Sequence, residues 1–247
     1  MAFVAGASRG IGRNIAVALA QAGAAVVVAA RSEAEEGSRL PGTIHTVAAA
    51  IESAGGTALP VVCDVTSEDS VGSAVEQAVG RLGGIDVLVA NAGVMWLAPT
   101  LETPLRRWEL CLRVNLTGVF LVTRAVLPHI IAGGSGSLIA ITTSGVGMVE
   151  LGANAYWVSK AGVERYYSGL AHELRDRNVA VNCLAPTKVV LTEGWAAAGG
   201  GRPIPEDMVE PPEAMGRAAV WLATQDGSGV TGTVQSSLDL LARQGLA

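Results

Sequence analysis

The chain is short of three kinds of residue, and each shortage excludes something. Cysteine occurs three times in 247 residues, as Cys63, Cys111 and Cys183. The number is odd, the positions are far apart, and there is no Cys-x-x-Cys or cysteine–histidine spacing. That argues against a disulfide framework and suggests no metal site; it fits small buried residues in a reducing cytosol. Charged residues make up only 16% of the chain and sum to −5. This balance argues against a nucleic-acid partner and against an anionic membrane surface. Aromatics are 4%, so alanine and valine fill the apolar share, as expected where helices lie close on a sheet.

What is present is a hydrophobic half and 31 glycines without a three-residue period, a composition of packed structure with many tight turns. The length suits one large domain or two small ones. One stretch imitates a targeting signal: Arg9 and Arg13 precede the nearly uncharged run from Ile15 to Ala30. The run is shorter than the roughly 20 residues a membrane span needs, and its halves differ. Ile15 to Ala22 suits a helix and Val26-Val27-Val28 a buried strand, with a turn at Gly23.

Strand and helix patterns then alternate to the end. Strands are expected at 3–5, 26–30, 58–62, 87–89, 138–142, 180–184 and 233–236. Helices are expected at 10–22, 44–54, 69–82, a long segment opened by Thr103-Pro104, 154–177 and 213–223. Strands this short and this apolar have no polar face, so helices should cover both sides of a parallel sheet. The reading is α/β: a single doubly wound Rossmann domain over residues 1–247, of about seven parallel strands. The irregular region from Pro186 to Pro212, with Gly199-Gly200-Gly201 inside it, reads as a mobile flap over a site. The first strand begins almost at Met1, which leaves open a natural start further upstream.

Gly6-Ala7-Ser8-Arg9-Gly10-Ile11-Gly12 follows the first strand and opens the first helix. Such a loop brings the backbone close to a pyrophosphate, whose charge then sits at a helix N-terminus. The second strand ends Ala29-Ala30-Arg31, without the acid that would bind a ribose 2′-hydroxyl. Arg31 and Arg9 instead suit a 2′-phosphate, favouring NADP, with NAD open through Glu33. Tyr156 and Lys160 are four residues apart, on one face of a helix. A tyrosine titrating near ~10 needs ~4 kcal/mol of phenolate stabilisation to act near neutrality. A lysine and a cationic nicotinamide in a water-poor cleft could supply it. Asn115 interrupts an apolar helical pattern, which marks a helix irregularity.

Gly6 to Gly12, Asp64-Val65, Asn91-Ala92-Gly93, Asn115, Tyr156 with Lys160, and Pro186 occur in one order and spacing. In these the chain resembles the short-chain dehydrogenase/reductase family, in its branch of roughly 250 residues, over essentially its whole length. The segment from Leu40 to Asp64 is similar to the subgroup of hydroxysteroid-dehydrogenase-like proteins and some terpenoid-alcohol dehydrogenases. The resemblance implies Tyr156 as acid/base, and Lys160 binding the nicotinamide ribose and depressing the tyrosine's pKa. It implies Asn115 holding a relay water. Asp64 and Val65 would contact adenine, and Asn91, Ala92 and Gly93 would steady the sheet and line the adenosine ribose. Gly6, Ser8, Arg9, Gly10, Ile11, Gly12, Arg31, Pro186, Val189 and Thr192 would complete the dinucleotide site.

Departures concentrate around the nicotinamide and substrate ends. The carbonyl-polarising serine of the family falls on Thr143, with Ser144 beside it, and either hydroxyl could serve. Ala5 replaces a threonine, Pro186-Thr187 replaces Pro-Gly, Thr192 comes one residue late, and an Asp-Gly-Gly ending is missing near Ser236-Ser237-Leu238. Specificity should lie in Met148 to Ala153 and in the flap, with Trp195, Met208 and Met215 as candidate pocket residues. His45, His129 and His172 read as ordinary helix-surface residues. The expectation is a cytoplasmic NADP(H)-dependent oxidoreductase, a homotetramer or homodimer, acting on CH–OH groups of a small to medium apolar ketone, aldehyde or alcohol. An NAD-dependent alcohol dehydrogenase and a non-catalytic dinucleotide sensor are the rivals.

Overall fold

The computed structural model describes residues 1–36, 40–147, 152–198 and 203–246. Seven strands form one sheet: β1 (Ala2–Ala5), β2 (Ala25–Ala30), β3 (Thr57–Val62), β4 (Val87–Ala90), β5 (Gly136–Ile141), β6 (Val179–Ala185) and β7 (Val234–Ser236). Their order is β3-β2-β1-β4-β5-β6-β7, and every pairing is parallel. The chain reverses direction across the sheet between β1 and β4, where Val4 lies between Val28 and Val89. In such sheets ligands bind beyond the carboxyl ends of the strands at this reversal.

The alternation of side chains along each strand divides the core in two. Phe3, Val27, Leu88, Leu138 and Val181 face one layer, formed by α3 (Glu68–Leu82), α5 (Gly118–Gly133) and α6 (Asn154–Glu173). Val4, Val28, Val89, Ile139 and Leu184 face the other, formed by α1 (Gly10–Gln21), α2 (Ile44–Ser53), α8 (Pro212–Ala223) and α9 (Ser237–Arg243). Both faces are covered, so apolar runs stand where alternation would be needed on a half-solvated sheet. Each fully buried valine, leucine or phenylalanine contributes roughly 1.5–3 kcal/mol.

The run from Ile15 to Ala30 divides at Gly23, which takes φ +94°. Differences from the expected pattern are local. Pro104 is the N-cap of α4 (Leu105–Leu112), and the long helix it precedes is interrupted by a π-helical turn at Arg113–Thr117 before α5 begins. The α3 helix begins one residue earlier than expected, capped by Ser67, whose hydroxyl accepts from the Ser70 N–H. The helix carrying Tyr156 stops at Glu173. Two short helices, α7 (Glu193–Ala197) within the flap and α9 after β7, had no visible pattern, being shorter than the roughly 11 residues over which a helical period can be read. The helical run Leu105–Gly133 is long and apolar enough by composition to cross a bilayer. Here Val119, Val122, Val126 and Ile130 spend its apolar stripe on the sheet.

Close backbone approach makes one glycine a test of this packing. A Cβ at Gly136 would lie 2.4 Å from the Asp86 carbonyl oxygen and 2.7 Å from Ile130 Cγ2, whereas one at Gly80, on the outside of α3, meets nothing within 4 Å. Gly136→Ala should lose roughly 1–3 kcal/mol of stability through overpacking, and Gly80→Ala should gain about 0.5–1 kcal/mol. Urea denaturation of the two variants beside wild type checks both signs.

Candidate active site

The site is built first by the turn from β1 into α1. Gly6 turns with φ +80°, and its N–H and that of Ala7 both donate to the Ala29 carbonyl, at 2.7 and 3.2 Å. Gly12 packs so closely that a Cβ there would lie 2.2 Å from the Gly6 oxygen and 2.3 Å from the Asn91 amide. Arg9 stands at the N-cap of α1 and supplies no side-chain acceptor. The positive end of that helix is therefore uncapped at the sheet's reversal point, above a cradle that any side chain would fill. These residues fit the pyrophosphate of a dinucleotide. Asn91 locks the cradle to β4 by donating to the Gly6 carbonyl at 2.8 Å.

The adenosine end differs in detail from expectation. The Arg9 Nε donates to the Pro41 carbonyl at 2.9 Å, and Nη2 donates to Ser32 Oγ, Leu40 O and Gly42 O. Much of its guanidinium is thus spent fastening the loop after β2 onto the glycine turn. Arg31 is exposed. Burial holds the Arg9 pKa below its ordinary value; Glu193 acts against this and nearby Arg31 adds to it. The two arginines do form a cationic corner, but Arg31 is the more open of them. Asp64 Oδ1 accepts from the Thr66 N–H and hydroxyl at 2.9 and 2.8 Å. The Val65 side chain is buried at Gly118, so its main chain is what remains to meet an adenine.

At the other end, a buried amide gathers three elements. Asn115 is fully buried in the π-helical turn. Its Oδ1 accepts from the Val94 N–H at 2.8 Å, and its Nδ2 donates to Val94 O and Ser159 Oγ, both at 2.9 Å. Both amide N–H groups are used, so a water could take only the remaining Oδ1 lone pair. Ser159 in turn donates to the Tyr156 carbonyl at 2.5 Å. A Cβ at Gly93 would lie 3.5 Å from Asn115 Oδ1 and 3.7 Å from Lys160 Nζ, which places Gly93, Asn115 and Lys160 around one point. Lys160 Nζ lies 5.9 Å from the Tyr156 ring centre and donates to the Ile141 carbonyl at 2.7 Å.

The pKa directions correct one expectation. Burial pushes the Tyr156 phenol up to about 12, with Cys111 adding to the rise, and brings Lys160 down to about 8 against the pull of Cys183 and Glu164. Lys160 does not depress the tyrosine here. Its ammonium is aimed at Ile141, and withdrawal from water disfavours both charged forms. Burial also raises Cys63 and Cys183 to about 12, which keeps them protonated and inert.

This arrangement has known counterparts. A profile of the short chain dehydrogenase family matches residues 1–199. The chain belongs to the short-chain dehydrogenase family. It is 40% identical over 206 residues to hydroxysteroid dehydrogenase-like protein 2 of Danio rerio, covering 80% of this chain and 48% of that protein. The chain thus spans about half the length of the curated relatives it matches. It is similar to a crystal structure of a short chain dehydrogenase from Mycobacterium thermoresistibile, with TM-score 0.87 and 32% identity over 99% of this chain and 86% of that one. It is also similar to a gluconate 5-dehydrogenase from Burkholderia cenocepacia in complex with NADP and tartrate, with TM-score 0.82 and 29% identity over 95% and 92% of the two chains.

Other expected positions sort as follows. Thr192 caps α7 and meets the glycine turn, 3.3 Å from where a Gly10 Cβ would be, while Glu193 pairs with Arg13 at 3.4 Å. The flap thereby rests on the dinucleotide cradle. Val189 spends its N–H on Met208 O and its carbonyl on the Glu210 N–H, and Pro186 stands just past β6. Buried Glu210 accepts from the Lys188 N–H and the Ser237 hydroxyl. The described flanks of the flap are therefore anchored to the body. Met215 does not line a pocket: it is wholly buried beneath α8 in the core. Trp195 is half-buried and Met208 exposed. Met148 to Leu151 and Gly199-Gly200-Gly201 lie outside the described residues. A groove of about 450 Å³ lined by Ala18, Arg217, Trp221 and Leu246 contains none of the site residues.

The short-chain dehydrogenase pattern did not reveal Glu164, which accepts from Thr142 Oγ1 at 2.7 Å one turn beyond Lys160. Its only sequence signal is the i,i+4 spacing from the lysine. The lysine shift carries a stability signature. Folded Lys160 gives up its proton near 8, while the unfolded chain holds it to an ordinary 10.5. The unfolded state then binds more protons between these values, so this residue's contribution rises with pH by up to ~1.4 kcal/mol per unit. The difference in unfolding free energy between wild type and Lys160→Met should grow from pH 8 to 10. Taking the difference in a Cys183→Ala background removes the thiol coupled to Lys160 and cancels that of Cys63, whose contribution falls above its ordinary 9.

Proposed function

We propose that the protein is an NADP(H)-dependent oxidoreductase interconverting a ketone or aldehyde with the matching alcohol on a small to medium, largely apolar substrate. The observation that carries this reading is the convergence of Tyr156, Lys160 and the Asn115 clamp beside an uncapped glycine-turn helix. Gly6, Gly10 and Gly12 would hold the pyrophosphate, Asp64 the adenine, and Lys160 the nicotinamide ribose. When bound, the dinucleotide supplies or takes up the hydride at the reacting carbon.

The chain's own residues handle the proton and the oxygen. Tyr156 gives its phenolic proton to the carbonyl oxygen during reduction and recovers it during oxidation. Its raised pKa keeps the phenol protonated in the free protein but makes it a weak acid. Acting as a base near neutrality requires more positive charge close to the phenol, which an oxidised nicotinamide would add. We assign the carbonyl-polarising role to Thr143, because its Oγ1 already accepts from the Gly145 N–H at 3.2 Å and keeps its own proton to donate. Ser144 beside it is exposed.

The preference for NADP rests on the corner made by Arg9 and Arg31, and the NADP named for the Burkholderia cenocepacia neighbour supports it. Glu33, the candidate acid for NAD, is turned towards His45 at 4.0 Å. Fluorescence titration should find tighter binding of NADPH than NADH. Arg31→Asp should erase most of that difference, roughly tenfold or more for a charge-assisted contact, and unchanged preference would refute the assignment. Tyr156→Phe should retain NADPH binding and lose turnover by at least about a hundredfold.

We also propose that the helices carrying Asn115 and Tyr156 pair with a second copy. Leu110, Phe120 and Val158 leave large apolar side chains exposed on α4, α5 and α6, a grouping that favours association. Sedimentation of Phe120→Glu beside wild type should show a smaller species.

A further inference from the structure

Among the described residues, two buried side-chain nitrogens have no hydrogen-bond partner, Trp96 Nε1 and Arg107 Nε. They belong to one pair. The Arg107 guanidinium carbon lies 4.5 Å from the centre of the Trp96 ring. No carboxylate pairs with Arg107 among the described residues, whereas Arg13 and Arg124 each have one. A stacked cation gains something from the ring face, but buried donors without acceptors are rare and unfavourable in folded proteins. Both unpartnered donors belong to this one stacked pair, and an acceptor arriving beside it would satisfy them.

The pair is half-buried, on the side of α4 that packs against the body. Arg107, Cys111 and Val114 form one stripe of α4 and its continuation; Cys111 and Val114 are buried, while Leu105 and Leu110 on other faces are exposed. Cys111 feels the charge of Arg107 and a hydrogen bond from the Trp96 main chain. The same thiol is close enough to Tyr156 to influence its titration. Arg107 thus stands one helical turn, about 5.4 Å along the axis, from a residue bordering the proposed proton donor. Trp96 follows by two residues the Val94 main chain that Asn115 pins. Both donors are therefore held to the substrate end of the cleft, away from the glycine turn.

We propose that Arg107 and Trp96 form an anion pocket of the substrate site, and that the substrate carries a carboxylate on an otherwise apolar body. The pair offers donors only, and a carboxylate accepts only, with two coplanar oxygens that match the guanidinium fork. The inference rests on the functional reading above, and deepens it from an apolar carbonyl compound to a keto acid or hydroxy acid.

The test uses the full chain, with and without saturating NADPH, and reads binding calorimetrically. The probes are butanoate, hexanoate and 4-oxopentanoate, each beside its methyl ester. The acids should bind and the esters should bind at least about tenfold more weakly. Arg107→Gln should weaken the acids roughly ten- to hundredfold, Arg107→Lys should restore part of the loss, and Trp96→Phe should cost about fivefold. NADPH affinity should be the same in all three variants. Thermal unfolding separates a structural role: a merely structural arginine would lower the Tm on replacement without changing the preference for acid over ester. Equal binding of acid and ester, no binding of either, or acid binding indifferent to Arg107→Gln would overturn the pocket. Failure of the wild type to bind NADPH would instead overturn the reading beneath it, and the same titrations distinguish the two failures.

Discussion

A buried primary amide needs partners for both its oxygen and its nitrogen, and Asn115 finds them on two other elements. The helix accommodates it by widening into a π-helical turn at Arg113–Thr117, as π-bulges commonly do at functional positions. One oxygen and one nitrogen hold Val94 beyond β4, and the second N–H holds Ser159 on α6. Val94 continues to Trp96, and Ser159 is followed directly by Lys160. The end of the cleft that holds Tyr156 and Lys160 is therefore referred to one amide, and losing it would free the loop, the bulge and α6 together. Gly118, just past the bulge, completes the junction by accepting Val65 so closely that a Cβ there would lie 2.8 Å from Val65 Cγ2.

Burial then sets the electrostatics. Tyr156 and Lys160 are both driven towards their neutral forms, the usual effect of withdrawing ionisable groups from water. A site in this condition is poised: small changes in nearby charge act strongly where solvent screening is weak. Glu164, tethered to Thr142, already pulls Lys160 towards its charged form. Further charge would have to come from what binds in the cleft, which would couple the proposed proton transfer to the cofactor through the same pair of residues.

The two ends of the cleft carry cations with different amounts of freedom. Arg9 is tied to the loop after β2 by carbonyl oxygens, and so serves the architecture of the adenosine end as well as its charge. Arg107 is stacked on an indole and faces no carboxylate among the described residues. An arginine with its hydrogen bonds made stabilises a fold; one with buried, unmade hydrogen bonds points to a ligand.

The sheet was legible from the chain because period and punctuation are local properties. Short apolar runs, separated by helical patterns, identify β1 to β6 in turn, and their doubly covered character follows from the missing polar face. The glycine turn, Tyr156 with Lys160, and the irregularity at Asn115 are likewise visible in short windows. Met215 illustrates the limit: a methionine near a flap reads as pocket-lining, but α8 turns it into the core, and sequence spacing does not reveal which way a helix faces. Arg9 and Arg107 show the same limit for charge. Whether a guanidinium meets a carbonyl, a carboxylate or nothing depends on chain segments tens of residues away, such as Pro41 for Arg9. The direction of the Tyr156 and Lys160 shifts also belongs to tertiary structure, since desolvation is a property of the packed whole. Local pattern determined the strands of the sheet, the longer helices and the Tyr156–Lys160 spacing; packing alone decided which polar groups are satisfied and which await a partner.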